Sequence, residues 1–355
     1  MKIDVIVSSI IPGGGITNFV AQLCKALSCM HSLRLIVTHE EVRKEQVVWF
    51  NIFLSRGLID ISKSYKFWRY IQLINIWRKD TPDCIINNYN AVGQYVLPLL
   101  SKKVRNLHIV HGITSDFKRV ATINKAYTSH WVVPSRKTAE LIMTGNRSVK
   151  SECITLIPHG VEEVTKDTIP VHRLYNKLVL IYVGVLEEHK GVDILPDVVK
   201  ELERRNISYQ FNIIGEGSLR ERISRNLASE IADGKVRLYG TIKHKEVLKM
   251  FTQSDILVYP TRIDSFGLVI VESMMAGCVP IVGRIAGVTD QIIDNTHDGF
   301  LVSVKAEDII QKIYSLSQDT SLLKRMSEQA RYNASAHYSL TVMIEAYNKL
   351  LTKLL

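Results

Sequence analysis

The segment from Asp255 to Gly283 leaves this chain few choices of fold. Asp255-Ile-Leu-Val-Tyr-Pro is short and apolar and is stopped by Pro260 and a polar turn, which reads as a buried strand. Leu268 to Ala276 then carries apolar side chains around most of its circumference and ends at Gly277, a residue type favoured just past a helix C-terminus. This predicts a buried helix whose N-terminus leaves the carboxyl end of a strand. Val279-Pro-Ile-Val-Gly follows as another strand. The same alternation of strand and helix occurs on both sides of this segment, so the expected class is α/β.

At the start of that helix, the amides of the turn Ser265, Phe266, Gly267 and Leu268 form an anion site, and Gly267 lets a ligand approach the backbone closely. Two carboxylates flank it. Asp264 precedes the first turn, and Glu272 lies about one turn inside the helix. Acids do not bind phosphate, but they accept hydrogen bonds from the hydroxyls of a phosphorylated ligand, and sugar nucleotides fit that description. The competing reading is structural: Asp264 as a helix cap and Glu272 as a buried, paired acid.

Other candidates sit where predicted strands end. Lys2-Ile-Asp-Val-Ile-Val-Ser is followed by a glycine loop holding Gly14 and Gly15, then by a helix from about Phe19 to Leu27. The loop has neither a dinucleotide fingerprint nor a Gly-Lys-Ser/Thr, so it supports neither a nicotinamide site nor an NTPase. His111-Gly112 closes the strand Leu107-His-Ile-Val, and strand carboxyl ends are where open α/β sheets place ligands. Lys118 and Arg119 follow as possible contacts to an anionic acceptor, with solvated surface charge as the alternative. Ser135 reads as a helix N-cap. Lys190 sits before a helix start, suited to a diphosphate as a point charge. Gly215 and Gly217 form a tight turn after a strand.

These residues together resemble the family 4 glycosyltransferases, retaining enzymes of the GT-B fold, whose hallmark is Glu, seven residues, Glu around Phe-Gly-Leu. Asp264 to Glu272 matches it with Asp first. The resemblance covers nearly the whole chain. It is strongest from Leu178 to Val302 and weakest from 30 to 105.

It implies two Rossmann-like, doubly wound domains facing a central cleft: residues 1–165 for the acceptor, 166–335 for the nucleotide sugar, and a helix over 336–355 packing back across the junction. It also implies that Glu272 holds the ribose, Asp264 the donor sugar, and His111 the sugar or acceptor near the reacting carbon. Gly14, Gly15 and Lys190 would meet the diphosphate. Gly215, Gly217 and the backbone around Ile242 would hold the nucleotide. Val185 stands where the family has an arginine, with Arg262 and Arg284 as candidate substitutes, and Asp290 stands where Glu is usual.

The implied reaction moves a hexose-type sugar from a nucleotide-diphosphate donor to a glycan or lipid-linked acceptor, in bacterial surface polysaccharide or lipopolysaccharide synthesis. No cofactor and no metal are expected, since no Asp-x-Asp occurs. The alternative is a catalytically silent sugar-nucleotide or membrane-binding protein of the same fold.

Charge adds one constraint. Residues 1–165 carry 21 Lys and Arg against 12 Asp and Glu, so most of the net +10 lies there. That suggests an anionic partner for the first half. Lys66 to Arg78 shows helical spacing of Phe67, Tyr70, Ile71, Ile74 and Trp77 with basic ends, open to a core-covering or a membrane-surface role. A nucleic-acid partner is not expected, because the basic residues are scattered without a binding motif. The longest apolar run, Leu178 to Leu186, is too short to span a bilayer, and the start lacks a signal-peptide core. With five cysteines (Cys24, Cys29, Cys84, Cys153 and Cys278) lacking a zinc-type pattern, the chain is expected in the cytoplasm with reduced thiols.

Overall fold

The structure, a computed structural model, describes residues 1–11, 15–40, 42–144, 149–164 and 177–354. Gly14 and residues 165–176 of the linker lie outside them. The chain divides into two compact units, Met1–His159 with Met343–Leu355, and Gly160–Val342.

The first unit is built on a parallel sheet of β1 (Lys2–Val7), β2 (Ser32–Val37), β3 (Leu58–Asp60), β4 (Cys84–Asn88), β5 (Arg105–Ile109), β6 (His130–Val133) and β7 (Ile154–Leu156). Its strand order is β3-β2-β1-β4-β5-β6-β7. Helices α1 (Gly15–Leu27), α2 (Lys44–Asn51), α3 (Lys66–Lys79), α4 (Ala91–Val96), α5 (Ser115–Thr122) and α6 (Arg136–Met143) connect the strands. β1 and β4 are buried along almost their whole length, as parallel strands covered on both faces must be.

The second unit repeats the plan with β8 (Leu178–Val183), β9 (Tyr209–Ile214), β10 (Val236–Gly240), β11 (Ile256–Tyr259), β12 (Val279–Gly283) and β13 (Phe300–Val302). The order is β10-β9-β8-β11-β12-β13, again parallel. Its helices are α7 (Leu195–Arg204), α8 (Arg220–Asn226), α9 (Ala228–Ala232), α10 (His244–Thr252), α11 (Leu268–Met275), α12 (Ala306–Gln318) and α13 (Thr320–Tyr338). The last helix, α14 (Leu340–Leu354), belongs to the first unit from Met343 onward. Both units are therefore Rossmann-like and doubly wound, and strand order reverses beside β1 in one and beside β8 in the other. Crevices at such reversals, at strand carboxyl ends, are where this architecture holds ligands.

Helix α11 is the buried helix expected from its composition. Ile270, Val271 and Met274 are fully buried, each worth about 1.5–3 kcal/mol relative to exposure. It ends in a Schellman motif. The Gly277 amide donates to Met274 O and the Cys278 amide to Ser273 O, both at 2.9 Å, while Gly277 takes φ +78°.

Helix α3 answers its two sequence readings at different ends. Leu73 and Trp77 are fully buried in the core of the first unit, whereas Phe67 and Trp68 project at 70% and 56% exposure. The Trp77 indole also donates to Asp4 Oδ2 at 2.8 Å. Asp4 is fully buried and is held by Arg34 at 2.5 Å and Arg56 at 2.8 Å, and Asp80 joins both arginines. No helix among the described residues is long and apolar enough to cross a membrane.

Candidate active site

At the reversal in the second unit, β8 and β11 are neighbours, so the loops leaving their carboxyl ends meet. The first loop brings Lys190 and the second Asp264. Lys190 Nζ donates to Asp264 Oδ2 at 2.8 Å, to the Tyr259 hydroxyl at 3.1 Å and to Ile263 O at 3.4 Å. The Tyr259 hydroxyl in turn donates to the same Oδ2 at 2.8 Å. On the other oxygen, Asp264 Oδ1 accepts from the Ser265 amide at 2.8 Å and the Phe266 amide at 3.4 Å.

Both charged side chains are nearly covered, at 16% and 13% exposure. Burial pushes the Asp264 carboxyl up, but the charge of Lys190 and the hydrogen bonds from Lys190, Tyr259 and Ser265 outweigh it, so it sits below its ordinary value. Burial and the Asp264 charge drive Tyr259 well above its ordinary value, so it remains a neutral donor. A carboxylate offers about four acceptor positions, and here all are in use. Asp264 is thus at once a cap for its turn and the counter-ion of Lys190.

Helix α11 starts immediately beyond, with Gly267 as N-cap at φ +94°. The first-turn amides of Leu268 and Val269 have no intrahelical acceptor and carry the positive end of the helix. Phe266 contributes only its backbone here, because its ring is buried in the core beside Tyr338. One turn on, Glu272 is 13% exposed and its Oε1 lies 2.8 Å from His244 Nε2, at the start of α10. That hydrogen bond raises the His244 pKa above its ordinary 6.5 against the pull of burial. Asp264 and Glu272 thus face separate basic side chains, Lys190 and His244. Ile242, just before α10, is partly buried against the core.

The loop after β9 completes this end of the sheet. Glu187 accepts from the Ser218 amide and hydroxyl, both at 2.7 Å, and ties that loop to the one after β8. Gly215, at φ +140°, brings its backbone so close to Gly184 that a Cβ would lie 1.8 Å from Gly184 O. Gly217 would meet Leu186 O at 2.4 Å. These two glycines are required by loop-to-loop packing, whatever they do for a ligand.

The proposed replacements for the missing arginine fare differently. Arg262 is locked in a two-point ion pair with Asp193, at 2.6 and 2.9 Å, and also donates to Glu188 O, so it is already committed. Arg284 is exposed and makes no ion pair among the described residues. Val185 is 49% exposed, and Asp290 accepts from the Gly287 amide at 2.8 Å, capping its own turn.

In the first unit, His111 lies two residues past β5, buried, with Nε2 3.2 Å from Asn88 Oδ1 at the end of β4. Its ring stacks on His159 at 5.4 Å and meets the edge of Phe19, from α1, at 5.0 Å. Burial, with smaller contributions from His159 and His108, lowers its pKa well below 6.5, so the imidazole is neutral. Gly15 opens α1 with open space around its Cα. On α5, Lys118 Nζ donates to Thr144 O, and Arg119 pairs with Asp116 at 3.1 Å on an exposed face.

The sequence names Lys190, Asp264, Glu272 and His111 as candidates, and the structure sets beside them Tyr259, His244, Asn88 and His159, which are not among those candidates. Tyr259 carried a signal, being the last residue of an apolar strand before a proline. The others are polar partners from distant segments. Among the described residues, no group of three or more His, Cys, Asp or Glu is arranged to hold a metal ion.

Comparison with known proteins matches both halves. The profile described as Glycosyl transferases group 1 matches residues 165–333, and that described as Glycosyltransferase Family 4 matches residues 13–164. An uncharacterised glycosyltransferase of Methanocaldococcus jannaschii is 25% identical over 333 residues, covering 90% of this chain and 89% of its own length. Among solved structures, HepE of Anabaena, crystallised with UDP, superposes with a TM-score of 0.82 at 15% identity, over 99% of this chain and 100% of its own. The lipopolysaccharide outer core galactosyltransferase WaaB superposes at 0.77 with 16% identity, over 100% of both chains.

Proposed function

This chain belongs to the group 1, family 4 glycosyltransferases, and from that premise we propose that it transfers a sugar from a nucleotide-diphosphate donor to an acceptor hydroxyl with retention of anomeric configuration. The observation that carries the reading is the Lys190–Asp264–Tyr259 cluster set against the N-terminus of α11 at the strand reversal. A cation and open helix amides provide for a diphosphate, and acids beside them provide for hydroxyls. That HepE was crystallised with UDP and with UDP-glucose supports a nucleotide sugar as donor.

Asp264 has no lone pair to spare while Lys190 and Tyr259 share its Oδ2, so donor binding changes partners. Lys190 turns to the diphosphate, and Asp264 Oδ2 is freed for a sugar hydroxyl. Glu272 accepts from the ribose, with His244 as its second partner. His111, neutral and fixed by Asn88, is assigned to the reacting sugar or the acceptor, and Lys118 and Arg119 to an anionic acceptor. In the step itself the acceptor oxygen bonds to the anomeric carbon as the bond to phosphate breaks. The nucleoside diphosphate leaves with the electron pair, and a departing phosphate oxygen takes the acceptor proton on the same face. The amides of Leu268 and Val269 and the Lys190 ammonium meet the charge that develops there.

A hexose donor and a role in bacterial surface polysaccharide or lipopolysaccharide assembly are the finer parts of the proposal. The exposed Phe67 and Trp68 beside basic residues of α3 support contact with an anionic membrane carrying a lipid-linked acceptor. The test is a panel of nucleotide sugars screened for thermal stabilisation and then for turnover with the stabilising donor. At least one donor should stabilise wild type, and Glu272→Ala should lose both stabilisation and transfer. A Glu272→Ala protein with full transfer activity would remove the assignment. Binding without turnover would favour a silent sugar-nucleotide-binding protein.

A further inference from the structure

The first unit has a second feature at the opposite end of its sheet. A groove of about 560 Å³ opens at the amino ends of β5 and β6 and is lined by Ser101, Lys102, Arg105, Thr128, Ser129 and Lys353 with apolar neighbours. His111 follows the carboxyl end of β5 while Arg105 begins it, and six residues at about 3.3 Å each put about 20 Å between them along the strand. The groove is therefore separate from the candidate active site.

Its chemistry is one-sided. Lys102, Arg105 and Lys353 bring three cations, and none of them pairs with a carboxylate among the described residues. The hydroxyls are committed as acceptors. Thr128 Oγ1, buried, accepts from Gln94 Nε2 at 3.2 Å and from Asn106 Nδ2 at 3.3 Å. Ser129 Oγ accepts from the Asn106 amide at 3.1 Å, and Ser101 Oγ from the Lys103 amide at 3.3 Å. With its two lone pairs used, the Thr128 hydroxyl can act further only as a donor, and none of the three hydroxyl protons has an acceptor among the described residues. Three cations and three outstanding O–H donors make a wall that lacks only an acceptor carrying negative charge.

We infer that this groove is a second anion site, which takes the phosphate or diphosphate group of a ligand distinct from the sugar donor. Tetrahedral phosphate oxygens suit several donors converging from different elements, and burial of Thr128 fixes one donor in advance. The inference does not depend on the proposed transfer reaction.

The experiment compares the full-length wild type with Lys102→Ser/Arg105→Ser/Lys353→Ser, changes at exposed positions. Inorganic pyrophosphate is titrated by calorimetry, and vesicles of phosphatidylcholine with and without phosphatidic acid are tested by sedimentation. Pyrophosphate held at the α11 turn is untouched by these substitutions and serves as the internal reference. The triple variant should lose one class of pyrophosphate site, or weaken it at least tenfold, with its unfolding midpoint unchanged. Lys353→Ser alone should give part of that loss and covers the case of a poorly folded triple variant. Loss of pyrophosphate binding identifies a free phosphorylated ligand, and loss of vesicle binding alone identifies a lipid headgroup. Wild-type behaviour of the triple variant with both probes overturns the inference.

Discussion

Replacing Lys190 with methionine tests the centre of the proposed site, because the side chain has two partners at stake, one in the protein and one in the ligand. Removing one member of a buried ion pair costs about 3–5 kcal/mol. Asp264 keeps the Tyr259 hydroxyl and the Ser265 amide, so we expect the low end, about 3 kcal/mol. The cost should depend on pH with a reversed sign. In wild type the Asp264 carboxyl is depressed, so its contribution is present above its unfolded value of about 3.9 and is lost as pH falls through the folded value. In Lys190→Met, burial dominates and the carboxyl rises. Its contribution is then present at low pH and lost as pH climbs through the raised value. The stability gap between the two proteins should widen from pH 4 to pH 7, as measured by urea unfolding. The second loss is to the ligand: one charge-assisted hydrogen bond of about 1.5–3 kcal/mol, so UDP should bind about 10- to 150-fold more weakly by calorimetry. Adding Asp264→Asn should recover much of the stability but none of the affinity. A pH-independent gap would refute the electrostatic account, and undiminished UDP affinity would reduce Lys190 to a structural counter-ion.

Gly215→Ala should cost at least about 2–3 kcal/mol by thermal unfolding, since its Cβ would lie 1.8 Å from Gly184 O at φ +140°; a neutral result would mean that the two loops can separate freely. Asp4→Ala takes the buried carboxylate from Arg34 and Arg56 and leaves them Asp80, so it should cost about 3 kcal/mol in urea, the low end for breaking a buried pair, with a cost under 1 kcal/mol counting against a cooperative network. His244 has a raised pKa in the folded state, so its stabilising bond to Glu272 is fully present below about pH 6.5 and fades as pH rises through the folded value. The stability difference between wild type and His244→Gln should shrink from pH 6 to pH 9. It should stay below about 1 kcal/mol, because the imidazole is half-exposed, and a flat difference would refute the pairing.

The strands read most directly are those whose residues are apolar throughout, such as Ile256–Tyr259 and Leu178–Val183, and β1 is read as well although Asp4 lies within it. β2, with Arg34 in its middle, is not among the strands read. Only the fold shows that Asp4, from β1, and Asp80, at the end of α3, pair with that arginine, and that Trp77 of α3 donates to the same Asp4. Helix α3 was ambiguous for a related reason: periodicity marks an apolar stripe but does not say how much of it the neighbours cover. The core reaches Leu73 and Trp77 and stops short of Phe67.

The sequence by itself determined the α/β alternation, the buried α11 with its glycine stop, and the acids and lysine at strand ends, because these follow from local pattern and from the backbone geometry of a few neighbouring residues. Tertiary structure alone decided the partners. Lys190 and Asp264 are 74 positions apart, and they meet only because parallel pairing sets β8 beside β11. The same pairing leaves Arg262 spent on Asp193, and the packing of α10 on α11 puts His244 on Glu272. Hydrogen bonds and charges act over a few ångströms in space, and the distance along the chain that separates two such groups carries no trace of them until the sheet forms.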